Sequence, residues 1–259
     1  MTPQVQRSVF LVVVLLALAL TLFFGVIVAQ PVLIGGLAGD PSGGHIGQHF
    51  REPHHRIHDL AFGLLLGTTG VGMVFQLRSP ARNVAAQLMA AVPILALVLA
   101  TLATDRRVLS IPWVAVGAPT IVATLLHPGL FRSGGARLSR PMIALVAVAA
   151  VPLLALALSN IGLQRSAPGD HAALGHYGYL AAFALAILGV GLVSSLRLAG
   201  WWLTAWVAGL LGVALGVASL GFPDVEGALG TVWAVAAMAW GAGFIAVAES
   251  VRREDRGAS

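Results

Sequence analysis

The sequence predicts an all-α polytopic membrane protein: about eight transmembrane helices, arranged as two four-helix repeats in parallel orientation with both termini cytoplasmic. Three observations predict it. The first is composition, because 58% hydrophobic and only 10% charged residues over 259 positions, with a mean hydropathy of +0.90, do not describe a water-soluble domain. The second is the spacing of the apolar runs, and the third is an internal repeat.

A spanning helix needs roughly 20 apolar residues, and eight stretches reach or approach that length: 9–29, 60–77, 84–104, 109–126, 142–160, 177–196, 201–220 and 227–248. The run from Ser8 to Ala29 lacks a small-residue cleavage site and is long enough to span, so it reads as the first helix and not as a signal peptide. Between the first and second helices lies a long loop, 30–56, which opens at Pro31 and passes through a glycine-rich segment. Its glycines have no strand-to-helix setting, so they read as a flexible loop, not a nucleotide cradle.

Charge gives the orientation. With the N-terminus inside, the cytoplasmic segments hold Arg7, Arg78, Arg82, Arg132, Arg137, Arg140, Arg197, Arg252, Arg253 and Arg256, against Arg51, Arg56, Arg106, Arg107 and Arg165 outside. The formal charge of +5 therefore reads as topology, and nothing in it points to nucleic acid. The chain has no cysteine, which excludes disulfides, thiolate metal sites and iron–sulfur clusters.

The repeat rests on two stretches, Gly70 to Arg78 (GVGMVFQLR) and Gly189 to Arg197 (GVGLVSSLR), identical at six of nine positions and 119 residues apart. That offset also carries Asp105 onto Asp224. It divides the chain into a first four-helix unit, 1–135, and a second, 136–259, related by a pseudo-twofold axis along the membrane normal. Small residues such as Gly63, Gly67, Gly70 and Gly72, or Gly209, Gly212 and Gly216, are expected to let helices approach closely.

Candidate chemistry gathers in Arg51 to Asp59, the stretch REPHHRIHD, at the head of the second helix. Seven of the eight histidines (His45, His49, His54, His55, His58, His171 and His176) fall on or near the predicted outer face; His127 alone is expected inside. Neutral imidazole is a common metal and haem ligand. A helix starting near Pro53 would place His54 with His58, and His55 with Asp59, on shared faces. Glu52 could accept a hydrogen bond from the other ring N–H of His55 or take a proton from a substrate, and Arg56 could pair with a carboxylate such as a haem propionate. Read as an interfacial helix start, the same side chains would simply meet lipid headgroups.

Glu52-Pro53-His54-His55-Arg56 spells E-x-x-H-R at the outer end of the second of eight helices, and this resembles the haem A synthase family. The resemblance implies two four-helix halves, both termini inside and a haem-ligating histidine in that motif. It makes His55 a ligand to a b- or o-type haem, Glu52 the catalytic acid, Arg56 a propionate partner and His176 the ligand of the second half. Where the family carries a second histidine in each half, this chain offers Pro112 and Trp113, then Glu226 and Trp233. His55 or His58 is therefore expected to converge with His176; offsets of 121 (176 − 55) and 118 (176 − 58) leave the choice open.

Three functions follow as expectations. One is a haem-modifying oxidoreductase. Another is a copper- or zinc-handling protein whose site draws on His54, His58, His171 and His176. The third is a structural subunit of a respiratory complex. Partners would be the lipid bilayer, haem, respiratory-chain assembly proteins or a second copy of the chain, and the expected location is a prokaryotic inner membrane with the histidines outside.

Overall fold

The computed structural model describes residues 3–38, 53–104, 108, 110–130 and 136–257. These residues form an all-helical protein. Its helices are α1 (Pro3–Ala38), α2 (Pro53–Gln76), α3 (Val84–Thr104), α4 (Ile111–Leu126), α5 (Arg140–Ser166), α6 (Asp170–Ala173), α7 (His176–Ser195), α8 (Trp201–Gly221) and α9 (Thr231–Gly257). A 3₁₀ turn, Pro80–Arg82, joins α2 to α3. Seven helices are long and apolar enough to cross a bilayer, while α4 has 16 residues and α6 has 4. The chain is an integral membrane protein by that criterion.

Polarity is distributed as lipid requires. Large apolar side chains face outward on the peripheral helices, with Val12 66%, Leu102 71% and Val151 73% exposed. Polar ones, including Thr68, Gln76, Gln87, Asn160, Gln164 and Ser195, are buried between helices, where they find partners that hydrocarbon lacks. Central among the helices is α7, apolar on every side and in contact with α2, α3, α5 and α8; a helix hydrophobic all round belongs inside. α1 packs on α2 and α4, and α9 lies along α8.

Several expected boundaries shift. α1 continues helically through Pro31 to Ala38, so the loop foreseen at 30–56 is helical at both ends, and 39–52 lies outside the described residues. α5 runs to Ser166, six residues beyond the expected Asn160, because Asn160 and Gln164 find buried partners and do not end the helix. α9 starts at Thr231 and carries its charged tail to Gly257, where Arg197 of the α7 end pairs with Asp255. α2 does begin at Pro53, whose missing N–H costs nothing at a first helical position.

The two nine-residue stretches close α2 and α7, but their glycines meet different neighbours. A Cβ on Gly70 would lie 3.3 Å from Thr21 of α1, and one on Gly72 would lie 2.5 Å from the Ala86 carbonyl of α3. In the second stretch, Gly189 faces Val92 of α3 and Gly191 faces Val146 of α5.

Candidate functional site

Two helix starts and one short helix bring three histidines together. α2 presents His58 one turn below its first residue, α6 carries His171, and α7 opens on His176. The ring centroids are 5.3 Å apart for His58 and His176, 5.7 Å for His58 and His171, and 5.2 Å for His171 and His176. His58 and His176 are stacked with an interplanar angle of 19°. Nδ1 of His171 and Nδ1 of His176 are 3.3 Å apart, a contact in which one nitrogen donates and the other accepts. His58 is 1% exposed and His176 7%. Among the described residues, no group of three or more His, Asp or Glu stands so that it could hold a metal ion without side-chain movement.

An aromatic layer surrounds the trio. Tyr177 is set edge-on to His58, centroids 5.5 Å apart, and its hydroxyl donates to Glu226 Oε2 at 2.8 Å. Tyr179 reaches Ser110 at 3.5 Å and packs on Phe62, which in turn meets Trp113. Two buried polar atoms in this region, Asp59 Oδ2 and Trp113 Nε1, have no hydrogen-bond partner. Buried polar atoms are ordinarily satisfied, so these two are exceptions to the usual pattern.

Of the residues singled out from the sequence, the structure joins His58, His171 and His176. His54, His55 and Arg56 stand in the first turn of α2, but their side chains lie outside the described residues, as does Glu52 altogether. His127 is elsewhere, at the far end of α4, bonded to Gln76 and Pro80. Sequence reading missed Gln164 and the Tyr177–Glu226 pair. A signal for Gln164 was present: Asn160 and Gln164 are two amides four apart in an apolar run, hence on one helix face, which in lipid must turn inward.

Comparison with family models, curated proteins and solved structures gave no match.

The spacing of the imidazole rings can be compared with that of metal ligands. A tetrahedral ion held by imidazole at about 2.0–2.1 Å needs its ligand nitrogens about 3.3 Å apart, and the rings then centre about 5 Å from one another. The 3.3 Å Nδ1 separation of His171 and His176 and the 5.2 and 5.3 Å centroid distances are close to these values, while His58 and His171 stand farther apart at 5.7 Å.

Proposed function

We propose that this protein is an integral membrane protein that binds a single borderline transition-metal ion, copper or zinc, at the histidine end of its helical bundle. His171 and His176 would be the first two ligands, and His58 would complete the set by a rotamer change. The observation that carries the reading is the 3.3 Å approach of two imidazole nitrogens beside a third buried ring. Imidazole without thiolate is the ligand set expected for such an ion in a chain lacking cysteine. Asp59, next to His58 and with an unsatisfied oxygen, suits the role of an outer carboxylate that orients a ligand ring. The ion would be held where little water competes, and Tyr177 with Glu226 would close the approach.

This reading includes the two four-helix halves, the cytoplasmic termini and the outward-facing histidines of a bacterial-type inner membrane. Titration of the metal-stripped, detergent-solubilised protein with Zn(II) and Cu(II) tests it. One ion per chain is expected for the wild type, with affinity falling at least a hundredfold in His171→Ala and His176→Ala. Absence of binding to the wild type overturns it.

A second reading is favoured by the pairing of His58 from α2 with His176 from α7, one histidine from each proposed half. That is the placement expected of a haem-ligating oxidoreductase similar to haem A synthase, with Glu52, His55 and Arg56 of the E-x-x-H-R motif in the roles the resemblance implies. A Soret band in the purified protein, lost in His176→Ala, would select this reading over the first.

A further inference from the structure

Gln164, in the last turn of α5, is wholly buried, and both ends of its amide are used. Nε2 donates to the Ala172 carbonyl at 2.5 Å, and Oε1 accepts from the Gly178 N–H at 3.0 Å. These two backbone groups flank the histidine pair, since Ala172 follows His171 directly and Gly178 lies two residues beyond His176.

α7 needs such a partner because its own start is poorly capped. Its N-cap is Gly175, held at φ 80° in the left-handed region, where glycine is favoured and no side chain can cap. The Gly178 N–H is among the first amides of the helix, which have no acceptor within it. The approach is also tight. A Cβ on Gly178 would fall 2.4 Å from Val108 Cγ2, so the neighbouring chain is packed hard against this turn. Gln164 thus caps α7 from another helix while gripping the end of α6.

We propose that Gln164 is the positioning residue of the histidine site: by tying Ala172 to Gly178 through one amide, it fixes the span from His171 to His176. This rests on the metal-binding reading given above. Glutamine meets both requirements, a donor for a carbonyl and an acceptor for an N–H at one point. Methionine fills the same volume with neither, and asparagine is one methylene too short.

The test compares Gln164→Met and Gln164→Asn with the wild type in two measurements. One is hydrogen exchange, by mass spectrometry, of peptides covering Gly178 in the metal-free protein. The other is Zn(II) affinity by calorimetry. Faster exchange at Gly178 in both variants is expected, together with affinity weakened about tenfold at unchanged stoichiometry, the scale seen when a supporting partner of a metal ligand is lost. Unchanged helix content and gel-filtration profile would show that the fold survives. Faster exchange with unaltered zinc affinity would overturn the positioning role while leaving the metal site standing. A wild type that takes up no zinc would remove the metal reading and this inference with it, even where exchange at Gly178 responds.

Discussion

His127 is fixed by hydrogen bonds from both sides of its ring. The Gly129 N–H donates to Nδ1 at 3.1 Å, so Nδ1 carries the lone pair, and Nε2–H is left to donate to Gln76 Oε1 at 3.1 Å or the Pro80 carbonyl at 3.0 Å. Gln76 in turn donates to the carbonyls of Gly72 and Asn83. The ring is therefore a neutral staple that joins the ends of α2 and α4 to the 3₁₀ turn. Burial lowers its pKa below 6.5, partly opposed by the bond to Pro80. The sign follows directly: below pH 6.5 the unfolded chain binds a proton that folded His127 resists, so stability is complete above that pH and falls as pH drops toward the lowered value. His127→Ala is expected to cost about 1–3 kcal/mol at pH 7.5. It should also flatten the decline of the unfolding midpoint between pH 7 and pH 5; an equally steep decline in the variant would refute the assignment. The sequence placed this histidine away from the others but could not say why it was there, because its partners lie 47 and 51 residues away.

Between elements, close approach is concentrated on one pair of helices. Gly209, Gly212 and Gly216 form a stripe on α8 into which α9 settles: a Cβ on Gly216 would lie 2.4 Å from the Ala234 carbonyl, and one on Gly241 of α9 would lie 2.3 Å from the Gly209 carbonyl. Such contacts replace hydrophobic driving force in lipid. Gly216→Leu should separate the two helices, with a loss of more than about 2 kcal/mol in reversible unfolding in mixed micelles. Gly63 and Gly67 belong to a similar stripe on α2, yet a Cβ at either would meet nothing within 4 Å among the described residues. Alanine there should be neutral or add up to about 1 kcal/mol through helix propensity. Equal effects at Gly216 and Gly63 would defeat the argument. The contrast also shows how far the sequence could be read. Spacing identifies a face made of small residues, but only the packing tells which such face meets a backbone and which meets lipid. For the same reason the helices were legible from hydropathy. The grouping of His58, His171 and His176 was legible from their common predicted face, but the short helix α6 that carries His171 was not, because a four-residue turn has no periodic signal of its own.

At the scale of the molecule, the bundle has two unlike ends. One gathers His58, His171, His176, Tyr177 and Glu226. The other gathers His127, the indoles of Trp202 and Trp206 bonded to Glu249, and Arg252 lying 3.9 Å over the Trp202 ring. Indoles and arginines of this kind anchor a helix end in the headgroup region. The proposed orientation puts the arginine-rich end in the cytoplasm, ten arginines against five, and because the sequence has no cysteine, single introduced cysteines test it with no native thiol to remove. Ser166→Cys stands at the exposed end of α5 on the histidine side, and Ala199→Cys stands in the exposed turn between α7 and α8 at the opposite end. In intact cells a membrane-impermeant maleimide should label the first and spare the second, with both labelled after permeabilisation. The reverse pattern would place the histidines in the cytoplasm. It would then make any metal they bind an intracellular one, drawn from a pool where free copper and zinc are scarce and the required affinity is correspondingly higher.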